Sequence, residues 1–391
     1  MRVLHIIDSL SMGGAETWLV EMVKFAAEKN TGLPAFDFLV AGGQKAIFDE
    51  TVMNLGSHIY YLKLDKNSTW SFTRGVREIL SKQEYAAIHD HQDYLSGWHF
   101  LFGIGKLPRV RVVHVHNPYY QLINNYGVTA ERRMKQRTGR WLMKNLSTHI
   151  FGTSSKILRE YNITTELFPR QKPGPFNCAF RIANFEGNHV TNKQALCREL
   201  GWPLHTNIVL FAGRFDQSLD INHINNHKNS AFAVQVIKET SKDTRMIMAG
   251  VNDFIHSAFT QYIRDNNLEE RIVLLGVRRD MNHLMLASDL LIFPSREEGM
   301  GMVAVEAQAA GLPVLASDKV PDEVVVLPEM VRFLSLEKTF KEWAAAVMEM
   351  LSLRKAEDTT DDPRWSISPF NLEVCCERLS EIYQGHRLKQ K

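Results

Sequence analysis

Residues 289–317 read DLLIFPSREEGMGMVAVEAQAAGLPVLAS. The apolar run DLLIFPS (289–295) reads as a buried strand, and REEGMGM (296–302) as a glycine-bearing loop. VAVEAQAAG (303–311) reads as a helix stopped by Gly311, and LPVLAS (312–317) as the next strand. A short apolar strand on each side of one helix is the repeating unit of a parallel sheet covered on both faces.

The same alternation runs outward in both directions. NIVLFAG (207–213), TRMIMAG (244–250) and RIVLLG (271–276) read as strands. NSAFAVQVIKET (229–240) and KTFKEWAAAVMEMLS (338–352) read as helices. Towards the N-terminus RVLHII (2–7), FDFLVA (36–41), AAIHDH (86–91), RVVHVH (111–116) and THIFGTS (148–154) are further strands, with an amphipathic helix after Gly13-Gly14. The rhythm breaks between Asn162 and Asn192, where Pro169, Pro173, Pro175, Gly174 and Gly187 gather. This stretch reads as a connection between two domains. The fold class is therefore α/β, with two doubly wound sheets in tandem. Ligands in such sheets sit beyond the carboxyl ends of the strands, and two facing sheets are expected to form a cleft.

Bulk properties narrow the function. The chain has 391 residues, enough for two domains of roughly 150–200 residues. A hydrophobic content of 45% and a charged content of 23% predict packed cores. The net charge of +2 does not mark a dedicated nucleic-acid binder. Cys178, Cys197, Cys375 and Cys376 show no C-x-x-C spacing, so they read as buried thiols in a reducing cytoplasm. The apolar run at the start is too short for a signal peptide, and no stretch approaches the ~20 apolar residues of a membrane span. The expected location is cytoplasmic, with peripheral contact at the inner face of the cell membrane.

Several residues invite chemistry. Glu298 stands at the mouth of the glycine loop and Glu306 about one turn into the following helix. The Gly299–Gly301 backbone can turn tightly and present N–H groups to a phosphate. A carboxylate at Glu306 can accept both hydroxyls of a ribose. Glu298 can accept sugar hydroxyls or offset positive charge on a reacting ring. Two ordinary glutamates are the alternative, and the glycine frame favours function. Arg214, after NIVLFAG, and Lys228, opening the next helix, suit a diphosphate, or are a solvated surface pair. Gly13 and Gly14 are either a phosphate cradle or a plain turn; the full G-x-G-x-x-G fingerprint is missing.

His89 with His91, and His114 with His116, each share one face of a strand. No D-x-D and no H-E-x-x-H occurs, so no metal is expected. His116 suits a sugar hydroxyl or phosphate, while packing is the default for His89 and His114. ERRMKQRTGRWLMKN (131–145) has six basic residues against one acidic, with Met134, Trp141, Leu142 and Met143 interleaved. It is either a helix lying on anionic lipid or a solvated face.

Taken together, GGAE (13–16), FAGR (211–214), HKN (227–229) and EGMGMVAVE (298–306) followed by AQAAGLPV (307–314) resemble retaining glycosyltransferases of the GT-B fold, family 4. The flavour is that of bacterial exopolysaccharide and capsule enzymes, and the resemblance runs over essentially the whole chain. It implies two Rossmann-like domains facing across a cleft: residues 1–180 on the acceptor side, 190–366 for the nucleotide-sugar, and a C-terminal helix within 367–391 crossing back to the first. Carried over by position, Gly14 would contact the donor phosphates, and Arg214 and Lys228 the diphosphate. Glu298 would meet the transferred sugar and Glu306 the ribose. The backbone of Met300, Gly301, Met302 and Val303 would line sugar and phosphate, Val277 and Arg278 the base, and His116 the reacting sugar. The chemistry implied is metal-independent and uses no cofactor beyond the donor, taken to be a UDP-sugar. The acceptor would be a saccharide or a lipid-linked saccharide, and nucleic acid is no partner.

Two departures stand out. FDQSLDINHINNH (215–227) separates Arg214 from Lys228 by more than the family usually allows. Asn117 stands where an aspartate is frequent, which predicts a less basic His116. A UDP-sugar epimerase and a non-catalytic nucleotide-sugar-binding subunit are the alternative readings; an observed transfer excludes the first, and binding without turnover favours the second.

Overall fold

The computed structural model describes residues 1–28, 31–120, 129–215, 218–223, 226–250, 253–354 and 358–385, with backbone alone at 253–257. The chain divides into two units, Met1–Arg181 with Pro369 onward, and Ile182–Ser368.

Unit 1 holds β1 (Arg2–Ile7), β2 (Ala35–Val40), β3 (Ile59–Tyr61), β4 (Ala87–Asp90), β5 (Val110–Val115), β6 (His149–Gly152) and β7 (Gly174–Pro175). They form one parallel sheet in the order β3-β2-β1-β4-β5-β6-β7. Unit 2 holds β8 (Asn207–Ala212), β9 (Thr244–Ala249), β10 (Ile272–Gly276), β11 (Leu290–Phe293), β12 (Val314–Ser317) and β13 (Val331–Leu334). Their parallel order is β10-β9-β8-β11-β12-β13. Both sheets reverse direction of winding once, between β1 and β4 and between β8 and β11. A crevice opens at the carboxyl ends of the strands at such a switch point.

The interior strands are largely buried and mostly apolar because helices cover both faces of each sheet, with buried histidines on β1, β4 and β5. β8, β11 and β12 are buried along almost their whole length. Three short strands, β3, β7 and β13, escape the sequence reading. β3 and β13 are only part-buried edge segments, and two-residue β7 carries Pro175 at the sheet margin. The stretch 162–192 is thus not a bare connection: it contributes β7, the 3-10 turn Ile182–Phe185 and the start of the helix His189–Leu200.

In unit 2, Phe211, Phe215 and Phe259 pack edge to face at centroid distances of 5.6 and 4.8 Å. Trp343, fully buried against Phe232, keeps its indole N–H satisfied by the Ser335 carbonyl at 3.0 Å. In unit 1, one face of the sheet packs Leu4, Ile6, Leu39, Val113 and Ile150 against Phe72, Val76 and Phe100. The opposite face is lined by histidines and covered by the helices Gly14–Ala27 and Leu372–Tyr383, through Trp18 and Tyr383.

The helices Ser96–Phe102 and Ala130–Leu146 approach so closely that backbone meets backbone. A Cβ on Gly97 would lie 2.2 Å from the Gly139 carbonyl oxygen, and one on Gly139 would lie 2.4 Å from that of Tyr94. Gly97→Ala is therefore expected to destabilise unit 1 by about 2–3 kcal/mol, since an added methyl has no room to relax into. Differential scanning calorimetry should show the first transition falling by several degrees; an unchanged transition refutes the close crossing.

Candidate functional site

The switch point of unit 2 gathers residues from three segments. β8 ends at Ala212, followed by Gly213 and exposed Arg214. β11 ends at Phe293, and its loop runs to the helix Met302–Ala309. The segment before the helix Ser230–Lys238 brings Lys228.

Glu298 is 93% buried from solvent, with 7% of its surface exposed, and meets Lys228 Nζ at 2.5 Å. The ammonium also lies 5.5 Å from the centroid of the Phe293 ring. A carboxylate enclosed this far is tolerated because a fixed cation matches it. Lys228 thus stands beside Glu298 although residues 215–227 separate it from Arg214 in sequence. Its placement is secured by backbone bonds: Arg296 N–H donates to the His227 carbonyl at 2.8 Å, and the Arg296 guanidinium to that of Ile221 at 2.8 Å. His227 Nδ1 lies 3.4 Å from Glu297. Arg296, His227, Glu297 and Phe293 are the residues that sequence reasoning missed. Nothing in their spacing announces a clasp between segments 70 positions apart.

Gly301 begins the helix with φ of 92°, a left-handed conformation that disfavours a side chain, and a Cβ there would press on Phe293 at 2.9 Å. This turn aims the backbone of Met302 and Val303 out of the helix start. Met300 is buried, and Met302 and Val303 are half-buried. Glu306, one turn further, is part-exposed, but its surroundings desolvate the carboxyl and push its pKa up to about 7. Gln308 bolts the helix to the next segment, its amide donating to Val324 and accepting from the Val326 and Leu327 N–H groups at 2.8–2.9 Å.

Val277 is exposed after β10. Arg278 is not a loose cation there: it pairs with Asp280 at 2.7 Å and Glu199 at 2.8 Å. In unit 1, Gly13 is extended at the helix start and its carbonyl accepts from Thr17 N–H at 2.9 Å. Gly14 has open space where a Cβ would stand.

His116 follows β5. Its backbone N–H donates to Asp93 Oδ1 at 3.0 Å, and Asn117 Nδ2 to Asp93 Oδ2 at 3.0 Å. Asp93 is buried, which raises its pKa to about 6. The asparagine thus faces Asp93, where a second carboxylate would repel the first, and burial is what holds His116 neutral. Beside this region lies a groove of about 480 Å³ lined by Tyr94, Tyr119, Arg133, Arg137, Arg140 and Tyr161. The helix Ala130–Leu146 carries those arginines and leaves Met134 and Trp141 exposed. Among the described residues no helix is long and apolar enough to cross a membrane.

A family model described as glycosyl transferases group 1 matches residues 206–352. That segment spans Arg214, Lys228, Glu298 and Glu306. The chain is 25% identical over 353 residues to the putative glycosyltransferase EpsF of Bacillus subtilis, covering 88% of this chain and 86% of the relative. It is 22% identical over 395 residues to the capsular polysaccharide biosynthesis glycosyltransferase CapH of Staphylococcus aureus, covering 99% and 100%. The crystal structure of Anabaena Alr3699/HepE in complex with UDP superposes with a TM-score of 0.77 at 16% identity, covering 98% of this chain and all of that one. The fold of the two units is that of GT-B glycosyltransferases.

Proposed function

We propose that this chain is a retaining glycosyltransferase. It moves a hexose or N-acetylhexosamine from a UDP-sugar to a saccharide or lipid-linked acceptor, without a metal, in surface-polysaccharide biosynthesis. The observation that carries the reading is the Glu298–Lys228 pair at the unit 2 switch point, beside a glycine-framed helix start that bears Glu306. The group 1 match over the same segment, with one relative named a putative glycosyltransferase and another named for capsular polysaccharide biosynthesis, supports it.

The roles follow from chemistry. Departure of a nucleoside diphosphate leaves negative charge on phosphate and positive charge on the sugar ring. Arg214 and Lys228 answer the first. Lys228, paired with Glu298, is assigned to a phosphate oxygen as well, where its ammonium acts as a point charge. Glu298 answers the second. The Gly299–Val303 backbone offers N–H groups to the phosphates, and the exposed Val277 side chain an apolar face to the base. Arg278, held by Asp280 and Glu199, shapes that loop. Gly14 leaves room for a phosphate beside the helix start of unit 1, and His116 is assigned to the transferred sugar.

The test is calorimetric binding of UDP, GDP, ADP and their sugar conjugates, with and without EDTA. Tight binding of UDP that EDTA does not weaken is the expected result. Absence of binding by every nucleotide overturns the reading.

The acceptor side is assigned to unit 1, where the three arginines of the groove suit an anionic head group. Contact of residues 131–145 with an anionic membrane is part of this proposal. In co-sedimentation with phosphatidylserine vesicles, Arg133/Lys135/Arg137→Glu should lower partitioning by about tenfold or more, given about 1 kcal/mol per basic residue near such a surface. Equal partitioning removes the membrane contact.

A further inference from the structure

The histidines of unit 1 are not isolated core residues. β1, β4 and β5 are neighbours in the sheet, and His5 lies in register with His89. His5, His89, His91 and His114 are buried, with His116 at the rim. Burial pushes the pKa of His5 and His114 down to about 3, and those of His89, His91 and His116 well below the ordinary value. All five are neutral at pH 7.

Two ring-to-ring contacts link three of them. His5 Nδ1 lies 3.0 Å from His91 Nε2, and His91 Nδ1 lies 2.9 Å from His116 Nε2. His116 Nδ1 then faces Cys178 Sγ at 3.9 Å. Ring nitrogens of His5, His89 and His91, and of His91, His114 and His116, lie within 4.8 Å of one another, as metal ligands would. Yet His91 turns a different nitrogen to each neighbour, at hydrogen-bond distance. That is the geometry of a chain and not of three lone pairs converging on one ion.

A neutral imidazole carries one N–H and one lone pair. Because His91 uses both nitrogens, it must donate at one link and accept at the other. The links are therefore coupled, and the chain has only two arrangements of its protons. Its far end selects between them. Among the described residues His5 Nε2 is buried without a partner, and a buried orphan N–H is rarer than an orphan acceptor. The lone pair therefore sits on His5 Nε2 and the proton on Nδ1. His5 then donates to His91, His91 donates to His116, and His116 holds its own proton on Nδ1.

We propose that His5 and His91 are positioning residues that fix the tautomer of His116, so that its Nδ1 carries an N–H, which faces Cys178 Sγ at 3.9 Å and can exchange that weak contact for an oxygen of the bound sugar, and is not a base. The tautomer follows from the chain alone; the sugar as its recipient rests on the function proposed above.

The test is a two-bond 15N–1H correlation spectrum of the full chain labelled at histidine, with the His116 signals assigned by their loss in His116→Asn. The expected wild-type result is a single His116 tautomer protonated on Nδ1. His5→Phe fits among Phe36, Phe38 and Tyr383 and never touches His116, yet it should turn His116 into a mixture of tautomers. His91→Phe should do the same. His91→Asn keeps an amide donor near the Nδ1 position and should restore the wild-type pattern. A wild-type His116 protonated on Nε2 overturns the proposal, as does a His116 spectrum unmoved by both phenylalanine variants. Should neither variant fold, the wild-type tautomer alone decides. In a transfer assay His91→Phe should lower kcat by about tenfold or more with the donor KM unmoved, and His91→Asn should recover it. A wild-type protein that shows no transfer but the expected tautomer refutes the proposed function and leaves the chain intact.

Discussion

Glu298→Gln should leave UDP binding within a few-fold of wild type and lower kcat by about 10²–10³. The amide keeps the shape and hydrogen-bonding atoms of the carboxylate, so the loop and its helix stay in place. What goes is the negative charge beside Lys228, in a pocket that leaves Glu298 only 7% exposed. Charges act strongly there because little water screens them. A group that offsets charge developing at the sugar carbon matters in the transition state and little in the ground state, so the loss falls on kcat and not on KM. Lys228 keeps about a quarter of its side chain in solvent, so its ammonium stays hydrated in the variant and the fold tolerates the change. Steady-state transfer kinetics beside calorimetric UDP binding make the comparison. A kcat within twofold of wild type removes Glu298 from the reacting centre.

Donor affinity should rise with pH through about 7, and Glu306→Gln should abolish that dependence. The free carboxyl titrates near 7 because its surroundings desolvate it. The ionised form accepts both hydroxyls of a ribose in charge-assisted bonds, one to each oxygen, whereas protonation turns one of those oxygens into a donor and removes the charge. Between pH 6 and 8 the ionised fraction climbs from about a tenth to about nine-tenths, so affinity for UDP should increase roughly tenfold. Glu306→Gln should bind about 2 kcal/mol more weakly at pH 8, the value of a charge-assisted hydrogen bond.

The same shift has a consequence for stability, with a definite sign. An unfolded glutamate titrates near 4.5, so between that pH and 7 the folded chain holds the proton more tightly. This contribution is complete below about 4.5 and is lost as pH rises through 7, at a cost of the order of 1–3 kcal/mol given the partial exposure of the group. At pH 8 the ligand-free Glu306→Gln protein should therefore melt higher than wild type, although it binds donor worse. Melting curves at pH 5.5 and 8, with and without UDP, check both halves. A pH-independent UDP affinity in the wild-type protein refutes the assignment of Glu306 to the ribose.

Residues 289–317 show why much of this architecture is legible from local pattern. DLLIFPS and LPVLAS are apolar without alternation, which only a strand buried on both faces sustains. β11 and β12 lie within those runs, and the helix Met302–Ala309 within the stretch between them. β3 and β13 were illegible for the converse reason: part-buried edge strands need little apolar signal. The glutamates of the loop could be singled out because the glycines frame them in adjacent positions. The partner of Glu298 could not, because a contact between residues 228 and 298 has no local signature.

The sequence by itself determined the two parallel α/β sheets, the strand ends at which Arg214 and the Glu298 loop emerge, and the types of residue held there. Those follow from short-range periodicity and from the rule that glycine turns and strand ends carry ligand contacts. Only the tertiary structure decided that Lys228 closes on Glu298, that Arg278 reaches Glu199, that Asn117 serves Asp93, and that His5, His91 and His116 form one chain. Each of these depends on which strands become neighbours. A 3 Å contact between side chains tens of residues apart is created by sheet order, and sheet order is set by the packing of the whole unit and not by any stretch within it.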